Sequence, residues 1–143
     1  MAAAEATGAR ICTPLHLALL AEALALAGKL EEGLATLDDA LAQAAGSGER
    51  GWDAEIHRLR GELTGRLSHP DAGESFRTGL AIAREQGTQG YELRAATSLA
   101  RLWREQGRRM EARDLLTPVY DSFTEGFGTP DLKEAKALLD ELG

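Results

Sequence analysis

Small residues recur in this chain at matched intervals, and they constrain its fold more than any other feature. Ala21, Gly61 and Ala100 each lie on the first helix of a candidate pair. Twelve, eleven and twelve positions later stand Gly33, Ala72 and Ala112, and four positions beyond those come Leu37, Phe76 and Leu116. The unit repeats about every 40 residues, a length that fits a helix pair stacked on its neighbours. A small side chain on each helix lets the pair approach closely. The larger apolar residue one turn later fills the space beside it.

The breaks between segments agree with this reading. Gly28 and Gly107 follow apolar runs, where a helix ends readily on a left-handed glycine. In the middle unit Ser68-His69-Pro70 does the same work, with Pro70 suited to a first helical turn. Thr13-Pro14 and Thr129-Pro130 read as helix starts. The sequence thus predicts seven helices, at about 14–27, 30–45, 51–66, 70–86, 90–106, 109–124 and 130–142. Gly33, Gly61, Gly65, Gly73 and Gly79 fall inside them, each at a cost of about 1 kcal/mol relative to alanine. Close packing answers that cost at Gly33 and Gly61. The sequence offers no reason for the other three.

Composition excludes several classes. Charged residues make up 27% and hydrophobic residues 43% of 143 positions, as expected of a soluble domain. A formal net charge of −7 argues against a general nucleic-acid binder. The single cysteine, Cys12, rules out an internal disulfide framework and fits a cytoplasmic location. The first residues lack the apolar run of a signal peptide, and no stretch is long enough to span a membrane.

The order of small residue, large apolar residue, glycine turn, Glu-Ala and apolar residue resembles the tetratricopeptide repeat. "ARLWREQGRRMEARDLL" carries it best, with Ala100, Trp103, Gly107, Ala112 and Leu116 at the signature positions. The resemblance covers residues 14–124. The period exceeds the usual ~34 residues and looks like the long-helix variant of large bacterial signalling ATPases and transcription activators. "LLTPVYDSFTEGFGTPDLKEAKALLDEL" is similar to the carboxy-terminal end of such regulators. Their ATPase, cyclase and DNA-binding modules have no counterpart here: there is no Walker-type loop and no cyclase aspartate pair.

The resemblance implies an all-α, right-handed superhelical stack of about three helix-turn-helix units over residues 14–129. Residues 130–143 form a capping helix, and residues 1–13 are a tail or the remnant of a preceding helix. It also implies a non-catalytic protein-interaction module without cofactor or metal. The alternatives are a regulatory tail of a signalling ATPase or cyclase and, behind that, an enzyme or small-ligand binder. The last would need an enclosed apolar pocket with converging polar groups.

In such repeats one face of each first helix lines a concave groove. Counting from the small residues assigns Glu22 to it, then Glu55, Arg58, Glu62 and Arg66, then Arg94, Thr97, Arg101 and Arg104. The last four share one helical stripe, suited to gripping an acidic peptide through charge-assisted bonds. The competing expectation is that these arginines pair with nearby glutamates on a solvated surface. The lysine and asparagine pattern of carboxylate-clamp members is missing, so chaperone tails are not implied.

Other residues have plainer readings. Trp103 is expected in the core, and Trp52 half-exposed as a contact residue. Arg108, Arg109 and Arg113 are expected to face solvent. His16, His57 and His69 lack metal-ligand spacing, and Cys12 lacks the partner of a nucleophile. Glu31-Glu32 and Asp38-Asp39 suit helix starts and exposed faces. Pro118 is expected to kink its helix. The last helix carries Leu132, Ala135, Leu138, Leu139 and Leu142 on one side, as a polar-backed lid needs. At the other end, "LHLALLAEALALA" has eleven apolar residues of thirteen and little sequence before it to cover them. Either that short segment is the remnant of a helix that covers the face, or a second copy of the chain does so through Leu15, Leu19, Leu26 and Trp52.

Overall fold

The computed structural model describes residues 14–48, 50–67 and 72–143. Among them are seven helices and no strand: α1 Pro14–Leu26, α2 Leu30–Ser47, α3 Asp53–Arg66, α4 Ala72–Gln86, α5 Gln89–Glu105, α6 Arg109–Asp121 and α7 Pro130–Leu142. All seven expected helices are present, with ends shifted by up to three residues. The Ser68-His69-Pro70 turn, Thr13 and Cys12 lie outside the described residues.

Local chemistry sets the boundaries. Gly28 and Gly107 both sit at φ 81°, and each is followed by an amide that reaches back to a carbonyl of the preceding helix. Lys29 N–H donates to Leu24 at 2.8 Å, and Arg108 N–H to Trp103 at 2.8 Å. This left-handed ending satisfies carbonyls that the helix would otherwise leave open. Thr129 is extended ahead of Pro130, where a missing N–H costs nothing. Pro118 does not end α6, which continues to Asp121.

The helices pack in a serial pattern. α1 lies on α2, α3 on α4, and α5 on α6. Each pair joins the next through α2–α3, α4–α5 and α6–α7, and the odd helices also touch in order, α1–α3, α3–α5 and α5–α7. The small and large residues of the sequence pattern (Ala21, Gly33, Leu37, Gly61, Ala72, Phe76, Ala100, Ala112 and Leu116) are all buried. The approach they permit is close. A Cβ on Gly33 would lie 3.2 Å from the Ala21 carbonyl oxygen, and one on Gly61 3.1 Å from that of Ala72. Gly79 belongs with them, since a Cβ there would lie 2.8 Å from the Ala54 carbonyl oxygen. Gly65 and Gly73 have only ordinary contact distances of 3.5 Å, so nothing in the packing requires glycine there.

The core is drawn out along the chain. One cluster joins Leu17, Ala21, Leu37, Ile56, Leu59 and Leu63. A small one holds Ala72, Phe76 and Leu99. A third joins Leu93, Ala100, Leu116, Val119, Leu132 and Leu138. α7 buries Leu132, Ala135, Leu138 and Leu142 in this last cluster. α1 differs from the other helices. Leu17, Ala18, Ala21 and Ala25 are buried, but Leu19, Leu20 and Leu26 are 55%, 49% and 88% exposed.

Candidate functional site

Helices α3, α5 and α7 run in one direction, and the charged bonds between them establish it. Glu55 and Arg58 of α3 meet Arg94 and Ser98 of α5. Arg94, Arg101 and Arg104 of α5 meet Asp131, Glu134 and Glu141 of α7. Both series ascend together, so the helices are parallel, and most partners stand 37 to 40 positions apart. Equivalent faces therefore lie side by side. They bound a groove of about 360 Å³ lined by Glu22, Glu55, Arg58, Arg94, Thr97, Ser98, Arg101, Asp131 and Glu134.

A continuous chain of opposite charges floors this groove. Arg58 holds both oxygens of Glu55 at 2.8 Å and lies 3.7 Å from Glu62. Glu55 also accepts from Arg94 at 2.9 Å, and Arg94 passes its other edge to Asp131 at 2.8 Å. Burial disfavours the Arg58 charge, but Glu55 and Glu62 outweigh that, and its pKa rises above the ordinary value. The bond to Asp131 raises that of Arg94, against its own desolvation. Further along, Arg101 reaches Glu134 at 3.4 Å, and Arg104 pairs with Glu141.

The residues assigned to the groove from sequence are brought together, with distinctions. Glu22, Glu55, Arg58, Arg94, Thr97 and Arg101 line it. Glu62 and Arg66 line an adjoining depression with Arg101. Arg104 is committed to Glu141. Thr97 is buried, and its hydroxyl donates to the Leu93 carbonyl at 2.7 Å. Each of the three stripe arginines holds a carboxylate of the same chain, so the stripe does not present the free cations on which an acidic partner was expected. The carboxylates responsible, Asp131, Glu134 and Glu141, were not among the sequence candidates. They stand 33 to 37 positions after their arginines, short of the repeat period, so counting one repeat onward does not pair them.

Beside the groove is a smaller notch of about 110 Å³. Leu15, Ala18, Leu19, Trp52, Ile56, Leu59 and Tyr91 wall it, and Glu22, Glu55 and Arg94 stand at its rim. Trp52 and Tyr91 meet with ring centroids 6.2 Å apart at 57°. Burial and the nearby Glu55 carboxylate raise the Tyr91 pKa. Of the residues expected at a dimer contact, Leu15 and Trp52 are half-buried here, whereas Leu19 and Leu26 are exposed.

Trp103 is not sealed in the core as expected. It lies partly buried at the edge of two clusters. The guanidinium carbons of Arg108 and Arg77 stand 4.5 and 5.9 Å from its ring centroid, a cation–π arrangement. Arg108 thus covers an aromatic face and also pairs with Glu111. Arg109 donates to the Glu141 carbonyl, and Arg113 is exposed.

Among the described residues, no group of His, Cys, Asp or Glu side chains is arranged to hold a metal ion. His69 lies outside them. No helix of these residues is long and apolar enough to cross a membrane.

The chain is 33% identical over 97 residues to an uncharacterized protein of Rhizobium meliloti (strain 1021). The match covers 66% of this chain and 9% of that protein, so the chain spans less than a tenth of the relative's length. No family model and no solved structure matches the chain.

Proposed function

We propose that the chain is a non-catalytic protein-interaction module of the tetratricopeptide type. In this reading about three helix hairpins stack into a right-handed superhelix, α7 caps its end, and a partner segment lies in the groove across α1, α3, α5 and α7. A second copy of the chain is held through the exposed leucines of α1. The module acts in the cytoplasm.

The observation that carries the reading is the parallel register of α3, α5 and α7, bonded to one another about one repeat apart. That register sets equivalent faces in a row, which makes a long surface. Apart from Glu22, the groove's charges also pair with one another, an arrangement suited to recognition by shape and hydrogen bonding.

Affinity capture from the source cell tests it. The wild-type chain is compared with the triple variant Arg94→Glu, Arg101→Glu, Arg104→Glu, and with Arg101→Glu alone, which removes a long 3.4 Å ion pair to exposed Glu134. Circular dichroism checks that each variant is folded. A changed set of specific partners from the folded variants is expected. An unchanged partner set refutes the groove.

One observation favours a second reading, a regulatory or sensor tail of a larger signalling ATPase or nucleotide cyclase. The segment matched in the Rhizobium protein is a small part of a long chain. Co-purification with an ATPase or cyclase whose activity the chain alters would support it.

A further inference from the structure

The notch and the groove share Glu22, Glu55 and Arg94, so one ligand can reach both. Their combined charged lining is Glu22, Glu55, Asp131 and Glu134 against Arg58, Arg94 and Arg101. Four carboxylates thus face three guanidiniums. The guanidiniums are all engaged in ion pairs. Glu22 has no ion-pair partner among the described residues. The surplus charge is therefore negative and sits at the notch end of the groove.

The notch itself is apolar and small. Its floor is Ile56 and Leu59, its sides are Leu15, Leu19, Trp52 and Tyr91, and about 110 Å³ accommodates a single aliphatic side chain. Apolar anchors in such pockets, ringed by polar groups, are where binding energy concentrates.

We infer that the groove takes a basic segment of a partner protein, with one apolar side chain seated between Leu19 and Trp52 and its cationic flank against Glu22. This rests on reading the groove as a partner surface, and it reverses the charge of the partner expected from the arginine stripe alone. Charge complementarity decides the sign. An acidic segment would have to displace intramolecular carboxylates from Arg94 and Arg101, whereas a basic one meets the unpaired Glu22 directly.

Three synthetic nine-residue peptides test it by fluorescence anisotropy with the full chain. The first has a central leucine between pairs of lysines, the second replaces the lysines with glutamates, and the third replaces the leucine with serine. The first should bind, and the other two at least tenfold more weakly. Glu22→Lys and Leu19→Ser, both at exposed positions, should each weaken the first peptide at least tenfold. Added salt should weaken it further. Equal or tighter binding of the acidic peptide overturns the inference but leaves the groove as a partner surface. Tight binding of the basic peptide that neither variant affects overturns the assignment to this notch. Absence of binding by all three overturns the inference, and the capture experiment with arginine variants then decides the groove separately.

Discussion

Gly79→Ala is a demanding test of the packing between α3 and α4. The added methyl carbon would lie 2.8 Å from the Ala54 carbonyl oxygen, 3.4 Å from the Arg58 nitrogen and 3.5 Å from the His57 Cβ. A carbon–oxygen contact ordinarily stops near ~3.3 Å, so α4 must retreat by about 0.5 Å. The obstructing atoms are backbone, which cannot rotate aside. Overpacking of this kind costs about 1–3 kcal/mol. Removing a helical glycine returns up to about 1 kcal/mol. The net expectation is a loss of about 1–2 kcal/mol. Gly65→Ala is the control, because its methyl would meet Ala72 Cβ at an ordinary 3.5 Å. It should gain about 0.5 kcal/mol from helix propensity alone. Urea unfolding followed by far-ultraviolet circular dichroism measures both, and in a chain of this size each kcal/mol moves the midpoint temperature by about 3–5 °C. Gly79→Ala as stable as the wild type, or as stable as Gly65→Ala, refutes the reasoning.

Three other outcomes follow from particular contacts. Burial lowers the His57 pKa below 6.5, with Asp53 opposing. The folded state therefore binds that proton less readily than the unfolded chain, and stability should fall as pH drops from about 7 to 5. A His57→Gln variant should show a shallower fall, and identical slopes contradict this. Trp103→Ala should lose about 2–4 kcal/mol, less than a fully buried tryptophan can cost, as measured by urea unfolding; no loss would contradict its place at the core edge. Leu19→Ser with Leu26→Ser should abolish any concentration-dependent dimer seen by sedimentation without loss of helix content, and a wild type that stays monomeric at high concentration removes the α1 contact.

The helices were legible because their punctuation is local. Glycine at 28 and 107 has few alternatives to a left-handed ending, and Ala21, Gly61 and Ala100 mark a close approach that recurs. Gly79 was not legible, because what it avoids is the backbone of another helix. The groove residues of α3 and α5 could be counted from the repeat. Their partners on α7 could not be read as easily, because its apolar side suggests only a lid. Which of its charges meet α5 depends on how the two helices cross. The sequence left open whether the arginine stripe was free or paired with glutamates, and in the fold it is paired.

The central claim is that the face shared by α1, α3, α5 and α7 is where this chain meets other proteins. Site-specific photo-crosslinking in the source cell measures it directly. A photoreactive residue is placed at Glu22 or Arg101 in the groove, or at exposed Asp39 or Glu85 on α2 and α4. The account predicts discrete protein adducts from the two groove positions and few from the other two. Adducts confined to Asp39 and Glu85, or spread evenly over all four sites, would contradict it.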